Sequence, residues 1–189
     1  MGPSSPAPAP APAPPPLPAR PPLPPPPPFR SDAPVDVWIH GGTVLDGSGP
    51  AGIRADVVVR GDRIVHVGAV DDATTAALRL DADGAVVTPG FIDAHSHAHP
   101  ASAGRSRLAQ GVTTIVVGQD GRSPDGGGSI AAFLGKTAAS RPVLNVATLV
   151  GHASVRAGVP PGPDRAARLA SAVDRALADG ALGLSTALE

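Results

Sequence analysis

The sequence predicts an α/β chain: a Pro-rich arm, a small sheet unit, and then the first half of an eight-fold β/α barrel. Three observations carry that expectation. Of the 25 prolines in this 189-residue chain, 17 fall in residues 1–34. From 35 to 84, short β-branched runs recur about every 8–12 residues between Gly and Asp turns, as in antiparallel sheets. From 85 to 189, apolar runs alternate with helix-like windows, the pattern of right-handed βαβ units.

Composition removes several classes. There is no cysteine, which excludes a disulfide framework, a Cys-based zinc finger and a thiol nucleophile. Net charge is −1, so no footprint for nucleic acid or a membrane surface is present. No apolar run approaches the roughly 20 residues of a membrane helix. The start lacks the basic and apolar stretches of a secretory signal. Pro6 breaks the myristoylation pattern. A cytoplasmic location is expected.

Residues 1–34 form the arm. Successive prolines fix φ and remove donors, so an extended polyproline II or disordered segment is expected. Pro15-Pro16-Leu17-Pro18 fits a ligand for a Pro-binding module. The plainer reading is a linker, or translated sequence upstream of the true start.

Residues 35–84 form the sheet unit. Asp36–His40 and Thr43–Asp46 read as separate strands divided by Gly41-Gly42. Ala55–Arg60 and Arg63–Gly68 read as a hairpin, and Gly61-Asp62 between them suits a type II′ turn. Leu78–Leu80 and Ala85–Val87 are further short strands. So small a sheet cannot bury both faces alone and must pack on something else.

Residues 85–189 hold four expected strands and three expected helices. Val86–Asp93 leads into a histidine cluster, and Ser102–Gln110 follows as a helix. Thr113–Gly118 is a β-branched run of the kind buried on both faces of a parallel sheet. Ile130–Ala139 is helical and Val143–Val150 is a strand. Asp164–Asp179 is the clearest helix. Asp164 is its expected cap, Ala166, Leu169, Val173, Ala176 and Leu177 its apolar stripe, and Gly180 its stop. Ala181–Thr186 begins the fourth strand. A closed barrel needs roughly 250 residues, so half a barrel is expected, and Glu189 follows the fourth strand.

The chemistry concentrates in Asp93-Ala94-His95-Ser96-His97. On a strand, residues two apart share a face, so both imidazoles can reach one metal ion. Histidine suits this role because it is neutral near pH 7 and offers a nitrogen lone pair. Asp93 shares that parity and is placed to orient a ligand. His99 extends the alternation, but Pro100 follows and a loop is expected there. A histidine held by core hydrogen bonds is the bland alternative, and two in alternation weaken it.

A resemblance now becomes specific. "GGTVLDGSG … ADVVVRGDRIVHVG" followed by Pro-Gly-Phe-Ile-Asp-x-His-x-His at 89–97 resembles the amidohydrolase superfamily. Gly111–Gly121, Leu149-Val150-Gly151-His152 and Gly180–Thr186 resemble its N-acyl-D-amino-acid deacylase (D-aminoacylase) branch. The resemblance covers 35–189. It implies a metal-dependent (β/α)8 barrel preceded by part of a β-sandwich, and hydrolysis of a linear amide C–N bond by metal-activated water. It implies one or two zinc ions, with other divalent metals as alternatives, and a small N-acyl amino acid as substrate. His95 and His97 match first-strand metal ligands. Asp120, in Gly118-Gln119-Asp120-Gly121, falls where the branch commonly places a cysteine ligand. A carboxylate also binds zinc but is a harder donor, and a turn residue between glycines is the alternative. His152, Ser185 and Thr186 match substrate-side positions, with structural roles at strand ends as the alternative. The family's remaining histidine ligands and catalytic aspartate are expected beyond Glu189. His40 and His66 lie in the sheet unit and do not replace them. The chain is therefore expected to be a truncated, inactive piece. The rival readings are a cyclic amidase resembling dihydroorotase or hydantoinase, and a non-catalytic scaffold with an interaction arm.

Overall fold

The computed structural model describes residues 26–49, 51–100, 104–126 and 128–187. The Pro15–Pro18 motif lies outside them. Two compact units are present. Of the described residues, one takes in those up to Val44 together with Gly52–Val86, and the other those between Leu45 and Ala51 with those from Val87.

The first unit is a mixed sheet in the order β3-β2-β1-β4. β1 is Val35–Val44, β2 Ile53–Arg60, β3 Arg63–Gly68 and β4 Ala76–Asp81, with the short β5 at Val86–Val87. β1 runs unbroken through Gly41-Gly42, where two strands are expected from the sequence. Gly41 has φ +74°, and the register with β2 shifts between Ile39 and Gly42. A glycine in that conformation makes a bulge, so the ladder bends there instead of ending. The 60–63 hairpin forms as the turn signal requires: Arg60 faces Arg63, and Gly61 sits at φ +60°. The sheet is not wholly antiparallel, however. β4 pairs with β1 in parallel, so the chain crosses over from β3 before adding its next strand.

Val35, Trp38 and Val58 form the core of this unit, with Phe29, Val70 and Ala76 against them. Direct cross-strand neighbours lie on one face. Leu78, Val37, Val59 and Ile64 therefore form one row, and Leu80, Ile39, Val57 and Val67 another. Leu78, Leu80, Ile64 and Val67 on these rows are 44–67% exposed. This apolar face is the surface for which the sequence requires a packing partner.

The second unit is built on parallel pairing. β6 is Phe91–Asp93, β7 Val112–Val117 and β8 Asn145–Thr148, in the order β6-β7-β8. β9, Val150–Gly151, pairs in parallel with β10, Leu184–Ser185. The expected single strand 143–150 is thus divided. Leu149 N still donates to Val117 O at 2.9 Å, whereas Val150 N donates to Gly183 O at 2.9 Å. The run changes partner at that peptide, handing the ladder from β7 to β10.

Helices α1 (Gly104–Leu108), α2 (Ile130–Ala139), α3 (His152–Gly158) and α4 (Arg165–Ala178) connect the strands. α2 begins where its cap predicts: the Ser129 side chain accepts from Ala132 N at 3.3 Å. Ile130 and Phe133 are its buried apolar side chains. α4 departs from expectation at its start. Asp164 makes no side-chain cap and sits at φ +57°, holding the first turn through its carbonyl, which accepts from Arg168 N at 3.0 Å. Its buried face centres on Ala176 and Val173, while Leu177 is 41% exposed. No helix among the described residues is long and apolar enough to cross a membrane.

Candidate metal centre

β6 ends at Asp93, so the strand does not reach the histidines. The chain nevertheless stays beside β7. Ser96 N donates to Val116 O at 3.0 Å, and Ser96 is 2% exposed. Burying Ser96 turns His95 and His97, its two neighbours, outward together. The alternation of side chains thus survives past the strand that was expected to impose it.

Asp120 arrives from the end of β7. The turn 118–121 is strongly left-handed, with Gly118 at φ +84°, Asp120 at φ +53° and Gly121 at φ +71°. Gly118 is required for a second reason: a Cβ there would lie 2.3 Å from Leu149 O. Between them, Gln119 is buried, and its Nε2 donates to Ala94 O at 2.9 Å and to Val116 O at 3.0 Å. That side chain ties the Asp120 turn to the residue preceding His95. The sequence reading missed it, although an amide between a strand end and a turn glycine is a fair signal for such a clasp.

The three side chains converge. His95 Nε2 and His97 Nε2 are 3.2 Å apart. Asp120 Oδ2 lies 3.0 Å from His97 Nε2, and Oδ1 lies 3.7 Å from His95 Nε2. One donor atom from each residue falls within 4.8 Å of the others. Ligands about 2.0–2.1 Å from a tetrahedral zinc are separated by about 3.3 Å, so these spacings suit one ion. Two imidazole nitrogens 3.2 Å apart are close enough to share a proton or to meet one electrophile together. All three residues are exposed, so the group opens to solvent.

Asp93 does not orient an imidazole. Its Oδ1 accepts from His95 N at 3.3 Å, and its Oδ2 lies 3.7 Å from Arg107 Nε. The carboxylate thereby shapes the backbone at the start of the histidine segment. His152, expected at a strand end, is the first residue of α3 and is half-buried. Thr186 is exposed just past β10, and Ser185 within β10 is buried. None of these three belongs to the His95–His97–Asp120 group.

No family model matches the chain. Sequence relatives and solved structures do. D-aminoacylase of Alcaligenes xylosoxydans xylosoxydans is 38% identical over 183 residues, covering 81% of this chain and 38% of that protein. N-acyl-D-glutamate deacylase of the same organism is 39% identical over 183 residues, covering 82% and 37%. The crystal structure of N-acyl-D-glutamate deacylase from Bordetella bronchiseptica, complexed with zinc and a phosphonate inhibitor, aligns with TM-score 0.71 at 32% identity. It covers 82% of this chain and 39% of that one. The chain spans less than two-fifths of the length of the curated relatives it matches. Over that span the chain is similar to D-aminoacylase in sequence and shares its amidohydrolase fold.

Proposed function

We propose that this chain contributes the first metal-binding strands of a hydrolase that cleaves the linear amide C–N bond of N-acyl-D-amino acids. The observation that carries the reading is the convergence of His95, His97 and Asp120 onto one point, with a donor atom from each within 4.8 Å of the others. Two imidazoles and a carboxylate form a zinc-type donor set, and their exposure is that of a site open to a water and a substrate. In the same reading β6, β7, the β8–β9 run and β10 are successive strands of a (β/α)8 barrel, whose sites lie at the strands' C-terminal ends. The sheet unit is then part of a β-sandwich. Relatives that match over about four-fifths of this chain are a D-aminoacylase, an N-acyl-D-glutamate deacylase and an N-acyl-D-aspartate deacylase, whereas adenine deaminases match over 46% of it, which favours a linear amide over a cyclic one.

Each residue has a defined task. His95 and His97 supply neutral nitrogen donors, held side by side by the burial of Ser96. Asp120 supplies a negative donor that offsets cationic charge at the centre. A divalent metal held by His95, His97 and Asp120 would supply Lewis-acid chemistry for carbonyl polarisation and water activation.

Metal analysis by mass spectrometry of the full chain, beside His95→Ala/His97→Ala, tests the reading. Zinc co-purifying with the chain and lost in the double variant is expected. No zinc in either protein overturns the site. A hydrolase that carries these strands together with the remaining ligands is then offered N-acetyl-D-amino acids, their L-enantiomers and cyclic imides. Release of D-amino acid supports the linear substrate, and turnover of cyclic imides alone overturns it.

A further inference from the structure

Ser185 matches a substrate-side position in sequence, yet the structure gives its hydroxyl a different task. The residue is 8% exposed on β10. Its Oγ donates to Gly118 O at 2.6 Å and accepts from Gly121 N at 3.2 Å. One hydroxyl thus bridges the two ends of the turn that carries Asp120. We infer that Ser185 is a positioning residue for Asp120, clamping the 118–121 turn so that the carboxylate stands beside His97.

Asp120 needs such support. Its side chain is 55% exposed, and its contacts among the described residues are with the two imidazoles alone. With no other polar partner for the carboxylate among the described residues, its place depends on the backbone that carries it. That backbone is unfavourable for an L-residue, since Asp120 occupies the left-handed region at φ +53°. Other bonds each hold one part of the turn, among them Arg122 N donating to Gln119 O at 3.0 Å. Gly121 O accepts from Ala153 N at 2.9 Å and from Ser154 N at 3.2 Å, and Gln119 reaches towards β6. Among the described residues, Ser185 is the side chain that engages both flanking glycines. With its proton committed to Gly118 and its surface covered, the hydroxyl is not presented to a substrate.

The inference rests on the proposed role of Asp120 as a metal ligand. Its test is a zinc competition titration on the full chain with Ser185→Ala, Ser185→Thr, Asp120→Ala and the Ser185→Ala/Asp120→Ala pair. Outer contacts that orient ligands typically contribute about 10–100-fold to metal affinity. Ser185→Ala is expected to weaken zinc binding by about 10-fold. Ser185→Thr, which keeps the hydroxyl, stays close to wild type. The double variant binds no more weakly than Asp120→Ala alone, because the effect passes through Asp120. Hydrogen exchange of the metal-free chain supplies an independent readout: Ser185→Ala speeds exchange at 118–121. Unchanged exchange there overturns the clamp whether or not zinc is bound. Losses that multiply in the double variant overturn it as well, since Ser185 would then act elsewhere. Equal zinc affinity in wild type and Asp120→Ala overturns the metal role of Asp120 instead, and the exchange result then decides the clamp by itself.

Discussion

Two histidine–aspartate pairs invite comparison. In the sheet unit, His40 Nδ1 lies 3.1 Å from Asp56 Oδ2. In the second unit, His97 Nε2 lies 3.0 Å from Asp120 Oδ2. The distances are nearly equal and the surroundings are opposite. Asp56 is 8% exposed, and its carboxylate also accepts from Trp38 Nε1 and from Gly41 N, each at 2.8 Å. Burial acts to raise its pKa. The bonds from Gly41, His40 and Trp38 outweigh burial and hold the carboxyl below the ordinary carboxylate range. Among the described residues Asp120 accepts from no backbone amide, and it is exposed beside two imidazoles. A carboxylate whose acceptor positions are filled by buried donors is a fastener. One whose lone pairs face only imidazoles and water is free to take an exchangeable partner.

The largest expected difference between the pairs is in stability. Asp56→Ala leaves the Trp38 and Gly41 N–H groups buried without an acceptor, at about 1–3 kcal/mol each. Asp120→Ala removes an exposed group, and its cost is the left-handed strain that Ala tolerates less well than Asp, about 1 kcal/mol. Denaturant unfolding of both variants measures this, and similar losses in the two would break the contrast. Zinc reverses the order. Free zinc at 100 times its dissociation constant should stabilise the chain by about 2.7 kcal/mol. His95→Ala/His97→Ala should show no such shift in a thermal melt, and a surviving shift would move the metal elsewhere.

Acid sharpens the comparison further. Because the folded pKa of Asp56 is depressed, its contribution is fully present above the unfolded value of about 3.9. It is lost as pH falls through the lower folded value. Stability followed by circular dichroism from neutral pH downward should therefore decline in that window, and Asp56→Asn should flatten the decline. The smallest effect serves as a control on a hairpin belonging to neither pair. Gly61→Ala meets open space but must adopt φ +60°, a cost of about 1 kcal/mol, and its zinc response should match wild type.

Local signals were legible where the structure answers to local rules. α2 spans the residues its periodicity marks because Ser129 caps it and Ile130 and Phe133 face inward. The Gly61-Asp62 turn appears because a glycine first in a two-residue loop supplies the positive φ that the strand twist needs. The departures share a different origin. Gly41-Gly42 reads as a break, yet the partner strand carries the ladder across it. The 143–150 run reads as one strand, yet its amides serve two partners. α3 follows β9 directly and has no buried residue of its own, so it leaves no apolar stripe to read. Asp164 looks like a cap, but its φ of +57° belongs to a turn entering the helix.

For the candidate site, the sequence alone determined which residues carry donor chemistry: His95, His97 and Asp120 are the types a zinc ion accepts, in an order that resembles a known superfamily. It also determined that the glycines around Asp120 allow a sharp turn. Only the tertiary structure decided that the three meet, and by what means. β6 ends before the histidines, and their common direction comes from burying Ser96 under β7. Asp120 reaches them because Gln119 binds Ala94, and because Ser185, 67 residues after Gly118, holds the turn shut. Periodicity and turn chemistry are properties of neighbours in the chain. The partner of a backbone amide or a buried hydroxyl is chosen by packing, and no local pattern records that choice.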